Sequence, residues 1–170
     1  AGSIVLPLHN PIRVAEEWSV VDNLSNGRVG FSFASGWHAN DFSLMPENFE
    51  HRKQLMFEGI ETVKKLWRGE TISVMNGENN PFEAKIYPAP VQDEPPIWIT
   101  TAGNVETFRQ AGEGGYNVLT NLLGQSIEDI TQKINAYREG RKAKGHAGEG
   151  NVSVMVHTFV GQDVDEVKEI

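Results

Sequence analysis

At 170 residues and 18.9 kDa the chain has the length of one domain or part of one, and without cysteine it has no thiolate zinc centre, disulfide scaffold or thiol nucleophile. Its 15 Lys plus Arg stand against 23 Asp plus Glu, a formal charge of -8 with a pI near 5.1, so no cationic excess exists to displace counterions from a nucleic acid or to meet an anionic membrane. Apolar residues make up 39% but never run unbroken for the roughly 20 positions that span a bilayer, and a soluble globular chain is expected.

Ala1-Gly2-Ser3 runs directly into Ile4-Val5-Leu6, a short buried strand without a leader. Pro11 opens a helix with Val14, Ala15, Trp18, Val21 and Leu24 at helical spacing, stopped by the left-handed signal Asn26-Gly27. Val29, Phe31 and Phe33 then alternate with Gly30, Ser32 and Ala34, which predicts a strand with one bulky face and one small face that a ligand can approach. Beyond an irregular stretch from Gly36 to Pro46 lies the longest helix, with Leu55, Met56, Ile60, Val63, Leu66 and Trp67 on one side and Gly69 at its end.

Residues 71–94 read as a hairpin excursion, with alternation at Thr71–Val74, a turn signal at Asn76-Gly77 and prolines at 81, 88, 90 and 95. The alternation of elements resumes with strand Ile97–Thr101, a short helix from Val105 to about Gly112, and strand Asn117–Thr120. A helix from Ile127 to Lys144 follows, N-capped by Ser126, and then a strand Val152–Val160. Asp163 to Glu166 has capping-box spacing and starts one more helix, so both ends of the chain read as cut points.

Five strands separated by four helices predict a parallel sheet covered by helices. A five-stranded doubly wound domain fits the length but calls for a glycine-rich phosphate turn after its first strand; Leu6-Pro7-Leu8-His9-Asn10-Pro11 contains no glycine. An arc of a (β/α)8 barrel, with its chemistry on the loops after the strands, is the other fit.

Strand Ile97–Thr101 ends in Thr100-Thr101-Ala102-Gly103-Asn104 just before a helix. Hydroxyls, backbone N–H groups and a helix N-terminus converge there, which suits an anion such as a phosphate; Asn104 as a plain N-cap and Gly103 as a plain turn is the alternative. Gly36-Trp37-His38 offers an aromatic and an imidazole to a planar ligand, against a rim-packing Trp37 and a solvated His38. Arg52, between His51 and Lys53, is either a solvated helix face or a guanidinium for the phosphate. His146 reads as a solvated turn and His157 as a hydrogen-bonded core histidine in a strand. The five histidines are too scattered for a local zinc motif, and Ala34-Ser35-Gly36 lacks the upstream glycine of a nucleophile elbow.

Several segments together resemble the bacterial luciferase-like flavin monooxygenases: Ile4-Val5-Leu6-Pro7 with Pro11–Glu17, Val21–Arg28, Gly36-Trp37, Leu66–Glu70, Pro95–Ile99 and Asn117–Thr120. Phe33–His38 with Asn40-Asp41-Phe42, and Leu119–Gln125, look most like the branch found beside natural-product assembly lines. The resemblance implies a single segment over 1–170, the third to seventh strands of a (β/α)8 barrel, incomplete at both ends. It implies reduced FMN, which activates O2 as a C4a-peroxyflavin to oxygenate a small-molecule or carrier-tethered substrate in secondary metabolism. A flavin reductase would supply FMNH2, and the enzyme would be cytoplasmic, with other barrel segments or a homodimer as partners.

Carried over residue by residue, the flavin phosphate falls to Thr100, Thr101, Gly103, Asn104 and Arg52, and the isoalloxazine to Ala34, Ser35, Trp37, Thr120 and Asn121. The family's non-proline cis peptide falls at Gly2-Ser3. Luciferase has a phosphate-binding arginine where this chain has Ser35, and its catalytic histidine precedes residue 1, which leaves His38 as the acid/base candidate. The rival readings are a flavin- or deazaflavin-dependent reductase on the same barrel and a non-catalytic flavin-binding or docking module. Lacking three strands, the segment alone is expected to bind FMN poorly.

Overall fold

The computed structural model describes residues 3–169, so the Gly2-Ser3 peptide and the Gly2 backbone lie outside the described residues. Five strands, β1 (Ser3–Val5), β2 (Phe31–Ala34), β5 (Ile97–Thr100), β6 (Asn117–Asn121) and β7 (Val152–Met155), pair in parallel in strictly sequential order. A doubly wound sheet would reverse its strand order at a switch point. Sequential order with a helix after each strand is the wall of a (β/α)8 barrel, seen here as an arc in which β1 and β7 each have one neighbour among the described residues.

Register explains which side chains face the helices. One row crosses all five strands as Ile4, Phe33, Ile99, Val118 and Val152, and period two places Phe31 and Ile97 on the same face. Against it pack α1 (Pro11–Ser25), α2 (Arg52–Trp67), α3 (Val105–Glu113) and α4 (Ile127–Ala143) through Ala15, Ile60, Val63, Leu66, Trp67, Phe108 and Tyr137, all buried. The Phe31 ring lies 5.3 Å from Trp18, 5.2 Å from Phe33 and 5.6 Å from Trp67, centroid to centroid. At about 25 cal/mol per Å2 of apolar surface, this aromatic cluster is a main source of stability.

Ser32, Trp98, Leu119 and Ser153 face the other way, into the barrel lumen, where they line a cleft of about 520 Å3 with Gly30. Just before β2, the missing side chain of Gly30 makes room for Trp98 at the wall of this cleft: a Cβ there would lie 2.9 Å from the Trp98 ring.

Helix ends follow the sequence signals. Asn26 and Gly27 take φ 55° and 73° to end α1. Ser126 and Asp129 form a reciprocal capping box on α4, and the Ser126 backbone and hydroxyl groups hold the Asp129 carboxyl below the usual carboxylate range. Helices α3 and α4 touch backbone to backbone, since a Cβ at Gly140 would lie 2.6 Å from the Arg109 carbonyl oxygen and one at Gly112 would overlap that of Tyr137.

The excursion is a hairpin, β3 (Ile72–Met75) against β4 (Pro81–Ala84). Its left-handed residue is Asn79, φ 60°, rather than Gly77, and the Asn76 carboxamide accepts from the Glu78 and Asn80 N–H groups at 2.9 and 3.0 Å. The segment after it is locked to α1 by the fully buried Asp22. Asp22 Oδ2 accepts the Val91 and Gln92 N–H groups at 2.7 and 2.9 Å, and Oδ1 accepts Gln92 Nε2 at 2.7 Å.

Three expectations change. Strand β7 ends at Met155, so His157 is exposed outside any strand. His146 is half-buried, its Nε2 2.8 Å from the Glu113 carbonyl oxygen, because the loop closes on the end of α3. The helix begun at Asp163, α5 (Val164–Lys168), is capped by the Asp163 carboxylate alone.

Candidate functional site at the strand C-termini

Because all five strands run parallel, the loops after them share one rim, the end where barrel enzymes carry their chemistry. Next to that rim, inside the lumen, three hydroxyls join β1, β2 and β5: Thr100 Oγ1 lies 2.6 Å from Ser3 Oγ and 2.5 Å from Ser32 Oγ. Ser3 and Thr100, singled out by sequence, are thus brought together, and Ser32 completes the group.

The loop after β5 is held at both ends. Thr101 N–H donates to the Leu119 carbonyl at 3.0 Å, and the Asn104 carboxamide caps α3 by accepting from Thr107 N–H at 3.2 Å. Between them Gly103 is exposed, and a Cβ on it would meet nothing within 4 Å. The first N–H groups of α3 have no carbonyl in their own helix to bond, and they carry the positive end of its dipole.

A cation that sequence reading passed over sits behind this loop. Lys133, half-buried on α4, donates from Nζ to the Ala102 carbonyl at 3.0 Å and to Gln125 Oε1 at 2.7 Å. The Gln125 carboxamide in turn donates to the Asn121 carbonyl, and Asn121 Oδ1 accepts from Leu123 N–H at 3.0 Å. The loops after β5 and β6 are therefore tied through one ammonium. The signal was present in the sequence: Ile130, Lys133 and Tyr137 share the apolar stripe of α4, and a lysine on such a stripe requires acceptors.

On the β2 side, Ala34 ends its strand on the lumen face and Ser35 follows it half-buried. Gly36, at φ 89°, lets the Phe42 ring cover the turn, where a Cβ would lie 2.6 Å from that ring. Trp37 is 77% exposed and stacks on His38, ring centroids 4.8 Å apart at 18°. Trp37 thus presents an exposed aromatic surface in the loop after β2, with His38 covering one of its faces.

Two residues assigned to the flavin by resemblance are placed elsewhere. Thr120 follows Val118 on the helix-covered face of β6; it is fully buried, and its hydroxyl has no hydrogen-bond partner among the described residues. Arg52 is folded back on Phe49, donating to its carbonyl at 2.7 Å with the guanidinium 4.3 Å from the ring centroid. Among the described residues no cluster of His, Asp or Glu could hold a metal ion, and no helix is long and apolar enough to cross a membrane.

Comparison with known proteins agrees with this geometry. The family of luciferase-like monooxygenases matches residues 1–170. The oxygenase component of a flavin-dependent trigonelline monooxygenase from Acinetobacter baylyi is 25% identical over 171 residues, covering 98% of this chain and 47% of that protein. An F420-dependent glucose-6-phosphate dehydrogenase from Amycolatopsis mediterranei is 29% identical over 140 residues, covering 79% and 41%. The crystal structure of the monooxygenase RslO1 from Streptomyces bottropensis superposes with a TM-score of 0.82 at 22% identity, over 99% of this chain and 51% of that one. The chain spans less than half the length of these two sequence relatives. With strands in barrel order, loops gathered on one rim and a family match along its whole length, the chain belongs to the luciferase-like monooxygenases.

Proposed function

We propose that the chain is the flavin-holding segment of a two-component, FMNH2-dependent monooxygenase whose barrel is completed by further strands. The observation that carries this reading is the loop after β5, where Gly103 is exposed with open space at its Cβ position and the opening N–H groups of α3 follow directly; Thr101 would add its hydroxyl. A phosphate fits there: the site has donors, positive dipole and no side chain over Gly103. Thr100 sits too deep for the phosphate, its hydroxyl being joined to Ser3 and Ser32; it sets the floor of the site. Asn104 holds the helix start in place rather than the ligand.

When bound, reduced FMN supplies the electrons that activate O2. Trp37 and Ala34 would flank its ring, Asn121 and Ser35 would bound it from either side, and His38 would move a proton to or from the substrate. Support for oxygen chemistry comes from the oxygenase component among the relatives, which also implies a separate reductase. Resemblance to the natural-product branch supports a substrate from secondary metabolism and a cytoplasmic enzyme.

The dehydrogenase among the relatives favours one alternative, hydride transfer with deazaflavin F420. Oxygen uptake by the full-length protein supplied with FMNH2 separates the two. Substrate-dependent uptake is expected, and its absence together with F420 reduction would establish the alternative.

A further inference from the structure

We infer that Lys133, rather than Arg52, is the positioning residue of the phosphate site, because its ammonium ties the loops after β5 and β6 together and aims the Gly103 N–H at the rim. The inference rests on the flavin reading above. Lys133 Nζ holds the Ala102 carbonyl at 3.0 Å from the α4 side. The 102–103 peptide is trans, so its carbonyl and the following N–H point in opposite directions. Fixing Ala102 O on Lys133 therefore turns Gly103 N–H away from α4, over a residue that carries no side chain to cover it. The second bond, to Gln125 Oε1 at 2.7 Å, anchors the ammonium to the loop that follows Asn121.

An ammonium has three donors; two go to these neutral acceptors, and neither takes up its charge. The Asp129 carboxylate, one turn earlier on α4, feels that charge. While Arg52 is committed to Phe49, Lys133 therefore acts through the geometry it imposes on the loop rather than as a net positive group. Its place on the buried stripe of α4, between Ile130 and Tyr137, fixes it more closely than an exposed lysine would be.

The test is the ratio of riboflavin to FMN dissociation constants in the full-length protein, which isolates the phosphate because the two ligands share the ring. Lys133→Met is expected to weaken FMN at least about tenfold, the loss of one hydrogen bond to a charged group, and to leave riboflavin within about twofold. Lys133→Arg, which keeps the charge and the donors, is expected to restore most of the ratio. Equal weakening of both flavins, unchanged FMN affinity, or collapse of the ratio in Arg52→Met but not in Lys133→Met would each overturn the assignment. Wild-type protein that binds neither flavin would instead remove the flavin reading, and the inference with it.

Discussion

Asp22 tests whether one carboxylate joins the hairpin excursion to the barrel wall. It is fully buried and receives three N–H groups, from Val91 at 2.7 Å, Gln92 at 2.9 Å and the Gln92 carboxamide at 2.7 Å. That carboxamide also donates to the Val29 carbonyl at 2.8 Å, and the Gln92 carbonyl accepts Trp67 Nε1 at 2.8 Å. Asp22→Ala leaves the part-buried Val91 and Gln92 N–H groups without partners; at about 1–3 kcal/mol each, relieved in part by water where Val91 is exposed, the loss is about 3 kcal/mol. Asp22→Asn keeps the shape, but its single oxygen can serve either the two backbone N–H groups or the Gln92 side chain. One donor then faces a donor, for a cost of about 2 kcal/mol. Against a total stability of about 5–15 kcal/mol both are large. Urea unfolding of the full-length protein, followed by circular dichroism and tryptophan fluorescence, measures them as shifts in midpoint at constant slope. An Asp22→Asn protein within about 0.5 kcal/mol of wild type, the scatter of neutral surface changes, would refute the reasoning.

Thr120→Val replaces a buried hydroxyl that has no partner among the described residues and is expected to raise stability by about 1 kcal/mol with FMN affinity unchanged; weaker FMN binding would put Thr120 in the site after all. Gly140→Ala drives a methyl to 2.6 Å from the Arg109 carbonyl oxygen, and since backbone cannot rotate aside it is expected to cost about 2 kcal/mol in the same unfolding assay; a neutral effect would mean that α3 and α4 can separate freely. Burial first, and then the Glu61 carboxylate that accepts its hydroxyl at 2.7 Å, push the Tyr116 pKa well above its ordinary value. The unfolded chain therefore loses this proton first: the stabilisation is complete below about pH 10 and falls by about 1.4 kcal/mol per pH unit above it. Tyr116→Phe should flatten that decline between pH 9 and 11, and identical slopes in the two proteins would contradict it.

Local chemistry made much of the fold legible. The Phe31-Phe33 alternation, the Asn26-Gly27 stop and the Ser126 cap act within a few residues, so pattern alone locates them. What stayed hidden depends on partners far along the chain: Asp22 bonds residues 69 and 70 positions away, and Lys133 bonds a carbonyl 31 positions away. Thr120 shows the opposite case. Strand alternation from buried Val118 already sends it to the helix face, and family resemblance alone had turned it to the ring. Arg52 could not be placed from sequence because its partner, Phe49, lies in an irregular loop where no periodicity sets direction.

The central claim is that the loop after β5 holds the flavin phosphate. A crystal structure of the full-length protein with FMN tests it most directly. The phosphate is predicted within hydrogen-bond distance of the Gly103 N–H and the opening N–H groups of α3, with Lys133 still on the Ala102 carbonyl. A phosphate bound instead in the lumen cleft beside Gly30 and Trp98, at the other end of the strands, would contradict the account.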